Sequence, residues 1–182
     1  WDQYQIGGGS TSTLVSDPSY PHNPVNSGLL SRFEAPAKQE GHFGQRISGY
    51  IYPPTTGKYQ FWISSSSESE LWLSSDDSRG NRELIAFAPS SCTWRDWDSY
   101  IEQGSISLLL RIGQAYYIEA LSQNCAEKNH LSVAWQVPGS EREVIDGIYL
   151  SDAFNQNLRE KEIAEADPMT PPIFLPCITK QS

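Results

Sequence analysis

Hydrophobic and polar positions alternate in short runs from about residue 45 to residue 150. Tyr59, Phe61 and Ile63 are interleaved with Lys58, Gln60 and Trp62, the period-two pattern of a half-buried strand. Comparable runs cover residues 70–74, 83–88, 106–112, 114–122, 131–137 and 144–150. In the run 131–137, Leu131, Val133, Trp135 and Val137 share one face and are expected in the core. Pro53-Pro54-Thr55-Thr56-Gly57 ends one strand and starts the next, and Ile112-Gly113-Gln114 is expected as a tight hairpin turn. No helical period separates the strands. The pattern therefore predicts an all-β fold, an antiparallel sandwich or barrel rather than βαβ units.

The flanks read differently. The first forty residues are rich in Gly, Ser and Pro and are expected to wrap the sandwich as extended arms, with Leu14, Leu29, Leu30 and Phe33 docking on it. Residues 158–166 suit a short helix, and Asp167-Pro168-Met169-Thr170-Pro171-Pro172 then reads as a linker. The expected division is a β-module over residues 1–153 and a proline-rich C-terminal tail over 154–182.

Composition narrows the function classes. With 182 residues the chain can bury a core without disulfides, and six Trp with nine Tyr supply rings for packing or for ligands. A net charge of −9 repels phosphate backbones, and no Lys/Arg cluster offsets it, so no nucleic-acid partner is expected. No run of ~18 apolar residues exists, so no membrane insertion is expected. The chain starts at Trp1 without a signal-like segment, as a mature or excised piece of a larger protein would.

Three cysteines do not make a zinc pattern. Cys92 and Cys125 both lie in polar, turn-like stretches and are expected to pair, tying two loops together in an oxidising compartment. The other reading is two buried free thiols. Cys177 in the tail is left for a contact outside the module, including one between chains.

Several segments, in order, carry a family resemblance. Gly49-Tyr50-Ile51-Tyr52-Pro53-Pro54-Thr55-Thr56-Gly57-Lys58-Tyr59-Gln60-Phe61-Trp62-Ile63, then Glu70-Leu71-Trp72-Leu73-Ser74, Tyr116-Tyr117-Ile118-Glu119-Ala120 and Val133-Ala134-Trp135 resemble the PA-fourteen domain, the module named for the anthrax protective antigen. The likeness runs from about residue 28 to residue 150. It implies a jelly-roll-like β-sandwich in secreted or surface proteins, used for adhesion, toxins or as a non-catalytic part of glycosidases and glycosyltransferases. Many sugar-binding members hold calcium, an ion that needs hard oxygen ligands, with two adjacent aspartates before the strand that matches 70–74. Here those positions are Ser66 and Ser67, and a second loop that often carries Asp-Asn has Asn129-His130. The usual calcium site is therefore not expected, and Glu68, Asp76 and Asp77 are the carboxylates left to make another.

The remaining candidates each have two readings. Asp76-Asp77 sits among Ser, Gly and Asn and reads first as a turn. Trp94-Arg95-Asp96-Trp97-Asp98 is the densest aromatic stretch, either a sugar platform or protein hot spot, or a plug of packed rings. Glu68 and Glu70 alternate on one strand face and are expected to be solvated. His22 and His42 have no metal spacing, whereas His130 falls in the second loop. No catalytic motif is present.

The expectation is a non-catalytic extracellular module that binds glycan or protein through Ser66, Ser67, Glu68, Trp94, Asp96, Trp97, Asn129 and His130 at one end of the sandwich. A lumenal location is the alternative compartment. The competing functions are a structural or oligomerisation domain and an accessory module of a glycosidase or glycosyltransferase.

Overall fold

The computed structural model describes residues 1–7, 10–36, 41–124 and 129–152. The strands are β1 (Asp2–Tyr4), β2 (Asn26–Ser27), β3 (Phe43–Ile51), β4 (Gly57–Ser65), β5 (Ser69–Ser74), β6 (Arg82–Ala88), β7 (Leu108–Leu110), β8 (Tyr116–Asn124), β9 (Leu131–Gln136), β10 (Arg142–Val144) and β11 (Leu150–Ser151), with one α-helix, α1 (Thr11–Ser16). They form two antiparallel sheets. The larger has the order β2-β1-β3-β8-β5-β6, with β11 also on β3, and the smaller has the order β10-β9-β4-β7.

Strand alternation builds the core between the sheets. Tyr59, Phe61 and Ile63 of β4 and Leu131, Val133 and Trp135 of β9 meet Ile118 and Ala120 of β8, Leu71 of β5 and Ile51 of β3. Trp135 is fully buried against Tyr59, Phe61 and Tyr149, with ring centroids 5.3, 6.3 and 5.1 Å away. Burying one such side chain contributes on the order of 1.5–3 kcal/mol, so this cluster is a large part of what closes the sandwich.

The outer face of the larger sheet is covered as well. Tyr4, Ile6 and Leu14 from the N-terminal arm pack on Leu121 of β8. They come so close that a Cβ on Gly44 would lie 2.6 Å from Leu14 Cδ1. The arm is thus not merely extended: it holds β1, α1 and β2. Leu14 and Phe33 dock and Leu30 packs on the core, but Leu29 is exposed.

Two sequence expectations change. Gly113 does make a turn, at φ 82°, but β7 pairs with β4 and β8 pairs with β3 and β5. The turn carries the chain from one sheet to the other and is not a hairpin. The apolar run 144–150 is only partly strand, because the Asp146 side chain accepts from Ile148 N and caps a 3₁₀ turn over Gly147–Tyr149. The expected tail, including its short helix and Cys177, lies outside the described residues.

Candidate functional site

Three of the sequence-selected loops meet at one end of the sandwich. Where β4 ends, Ser66 N donates to His130 O and Cys92 N donates to Ser65 O. The Ser67 hydroxyl bonds to Gln123 O at the end of β8. Ser66, Ser67, Asn129 and His130 are therefore brought together at this end.

Their polar groups are bonded to one another. Ser66 Oγ lies 3.3 Å from Asn129 Oδ1 and takes a bond from His130 N at 3.4 Å. Asn129 is buried and exchanges bonds with Gln45: Gln45 Nε2 donates to Oδ1 at 3.0 Å, and Asn129 Nδ2 donates to Gln45 Oε1 at 3.4 Å. Burial holds the His130 imidazole below its ordinary pKa, a tendency that the Glu34 charge opposes. Calcium takes six to eight oxygen ligands, several of them charged. These groups are neutral and partnered, and no cluster of three His, Cys, Asp or Glu exists among the described residues. The residue set does not fit calcium.

The candidate carboxylates serve elsewhere. Glu68 Oε1 accepts from Thr11 N and Thr11 Oγ1, and Glu70 Oε1 accepts from the same hydroxyl. Both acids anchor the first turn of α1 rather than standing in solvent. Asp76 lies at the far end of β5, where Oδ1 accepts from Ser78 N and Oδ2 from Asn81 Nδ2, and Asp77 is exposed beside it. That is the turn reading.

Cys92 carries a free thiol. Its Sγ points back to β4, accepting from Ser65 N and donating to Ser65 O, both at 3.3 Å. The expected bond to Cys125 is not formed in the structure, and Cys125 lies outside the described residues.

The aromatic segment leaves this end and crosses the outer face of the smaller sheet. Gly104 bridges to Trp62, and Ser105 N donates to Phe61 O, so the segment runs along β4. Arg95 has a left-handed backbone at φ 57°, a conformation that costs of order 1 kcal/mol for a residue with a side chain. Its guanidinium holds it there: Nε and Nη2 donate to Glu34 at 2.8 and 3.2 Å, and it stacks 4.3 Å above the Trp94 ring. Glu34 Oε2 also accepts from Ser132 Oγ of β9 at 3.0 Å.

A second pair lies alongside. Arg142 of β10 donates to both Asp98 oxygens at 2.9 and 2.6 Å and lies 4.9 Å over the Trp62 ring. The Arg142 bond holds the Asp98 carboxyl below its ordinary range. Asp96 is likewise held low, chiefly by Ser99 Oγ. Trp94 is 59% exposed and Trp97 is half-buried. Thus neither ring is a buried plug. Sequence reasoning singled out the stretch from Trp94 to Asp98 but not Glu34 or Arg142, which are too far along the chain from Arg95 and Asp98 to give a local signal.

The comparisons with known proteins agree with this architecture. The PA14 domain model matches residues 25–148, and the chain belongs to that family. It is 29% identical over 151 residues to mouse (Mus musculus) N-acetyl-beta-glucosaminyl-glycoprotein 4-beta-N-acetylgalactosaminyltransferase 1, a match over 79% of this chain and 14% of the transferase. It is 29% identical to mouse fibrocystin over 56% of this chain and 3% of that protein. The chain spans only a small part of each of these relatives. Its fold is similar to that of the Epithelial Adhesin 6 A domain from Candida glabrata, solved in complex with Galb1-3GlcNAc, with a TM-score of 0.56, 14% identity, and 84% and 86% of the two chains covered.

Proposed function

We propose that this chain is a non-catalytic, saccharide-binding module of a larger secreted or surface protein, and that it binds without calcium. The observation that carries the reading is the pair of fixed guanidinium–carboxylate units, Arg95–Glu34 and Arg142–Asp98, beside exposed and half-exposed tryptophans on a rigid sheet. Such a surface offers hydrogen-bond donors, acceptors and ring faces already in place, which lowers the ordering cost of binding. The saccharide-bound adhesin domain of similar fold favours the same ligand class.

The chemistry argues for binding rather than catalysis. Ser64 Oγ lies 3.5 Å from His130 Nε2, but Ser64 is fully buried and its hydroxyl donates to Thr93 O at 3.1 Å. A nucleophile needs access and a base that can take its proton. Glu68 and Glu70 are tied to Thr11 and do not flank a cleft.

A second reading is an accessory module of a glycosyltransferase, favoured by the match to the mouse transferase over most of this chain. Both readings place the module in the secretory or extracellular space. The test is a glycan array, including Galβ1-3GlcNAc, probed with and without chelator. A reproducible set of bound saccharides that survives chelator supports the reading. Binding that vanishes with chelator overturns its metal-free part, and a blank array overturns the saccharide assignment.

A further inference from the structure

The outer face of the smaller sheet carries a cleft of about 310 Å³ lined by Arg32, Arg95, Trp97, Arg142, Glu143 and Asp146. We propose that this cleft, rather than the loop end where Ser66 and Asn129 meet, seats one uncharged sugar ring. The proposal rests on the saccharide-binding reading above and assigns that reading its subsite.

Three observations carry it. First, the loop-end groups are spent on each other, with Ser66, Asn129 and Gln45 in one hydrogen-bonded set. Second, two guanidiniums of the cleft are fixed before any ligand arrives, each by two bonds to a carboxylate and by a ring beneath it. Arg95 is held on a left-handed backbone, so the fold retains a long side chain where glycine would be easier. Third, Arg32 is exposed, and its guanidinium has no partner among the described residues, which leaves its donors for a ligand.

Size and charge select the ligand. A volume near 310 Å³ is at the small end of the ~300–1,000 Å³ range for small-ligand sites, enough for a monosaccharide unit but not a long chain. Three guanidiniums, of Arg32, Arg95 and Arg142, stand against four carboxylates, those of Glu143 and Asp146 in the wall and of Glu34 and Asp98 behind it. There is no surplus of positive charge to repay the desolvation of an acidic sugar. Hydroxyl groups both donate and accept, so they can use guanidinium and carboxylate together, while Trp97 supplies the apolar wall.

The test is an array of immobilised neutral and sialylated oligosaccharides, read with the full chain and three variants. Trp97→Ala is expected to lower binding of neutral saccharides about tenfold or more. Arg32→Gln holds no part of the fold together and is expected to lower it about threefold to tenfold with an unchanged melting temperature, which keeps the test valid if Trp97→Ala unfolds. His130→Ala, at the loop end, is expected to leave binding within about twofold, and pure sialylated ligands to gain nothing from Arg32. Binding retained in Arg32→Gln and Trp97→Ala but lost in His130→Ala overturns the cleft assignment alone. A preference for sialylated ligands that falls with Arg32→Gln overturns the uncharged ligand. A blank array for the wild-type chain overturns the saccharide reading itself and the cleft with it.

Discussion

The Tyr117 hydroxyl donates to Glu119 Oε2 at 2.5 Å, two residues along the same face of β8, and both side chains are buried there. Around that carboxylate stand Arg79 Nη2 at 3.3 Å, Arg82 Nε at 3.4 Å and Arg46 Nη1 at 3.8 Å, with the Tyr20 hydroxyl donating to Oε1 at 3.2 Å. The Arg46 and Arg79 guanidiniums lie 5.7 and 5.9 Å from the Tyr20 ring centroid, which ties the N-terminal arm into the set. One buried charge thus joins the arm, β3, β8 and the turn before β6.

Removing that charge leaves three guanidiniums facing one another with too few counter-charges. Glu119→Gln is expected to destabilise the domain by about 3–5 kcal/mol, the usual cost of breaking a buried pair from one side. Urea unfolding followed by tryptophan fluorescence measures this. A loss below about 1 kcal/mol would show that the cluster is solvated rather than structural.

The backbone approach at Gly49 gives a second prediction. A Cβ there would lie 2.5 Å from Ser151 O, a backbone atom that cannot swing aside. Gly49→Ala is expected to cost about 1–3 kcal/mol and to separate β11 from β3. Amide exchange at Tyr52 reads it directly, because Tyr52 N donates to Tyr149 O at 2.9 Å where the chain enters β11; unchanged protection would contradict the close approach.

Acid acts on the loop end and the aromatic segment beside it with a definite sign. The His130 pKa is lowered by burial, so the unfolded chain takes the proton first as pH falls through the ordinary value of 6.5. Stability is therefore present above that pH and lost below it. The Asp96 and Asp98 carboxyls are held low by Ser99 and Arg142, so their contribution is lost only further down, as pH falls through and below the ordinary 3.8. His130→Gln is expected to flatten the melting-temperature profile between pH 7 and 5 and to leave the drop near pH 3. An unchanged slope between pH 7 and 5 would contradict the burial argument.

Trp135 tests the core. Its ring is fully buried among Tyr59, Phe61 and Tyr149. Trp135→Ala is expected to cost about 3–5 kcal/mol by calorimetry. The exposed Trp94→Ala is expected to change stability by less than about 1 kcal/mol.

The sandwich was largely legible because strand alternation is local: Tyr59, Phe61, Ile63, Leu131, Val133 and Trp135 all face the core as their period-two spacing requires. What failed depended on distant partners. Glu68 and Glu70 looked solvated because nothing near them in sequence points to Thr11, and the turn at Gly113 looked like a hairpin because sequence does not show which sheet β7 joins. Part of the proposed cleft was legible as an aromatic cluster at residues 94–97. Its polar framework was not, since Arg95 finds Glu34 and Asp98 finds Arg142 only after the sandwich has closed.

The central claim is saccharide binding that does not use calcium. Calorimetric titration of the full chain with a saccharide selected on the array, repeated in calcium and in excess chelator, tests it most directly. The expected result is the same affinity and enthalpy in both. An affinity that appears only with added calcium, or no heat of binding in either, would contradict the claim.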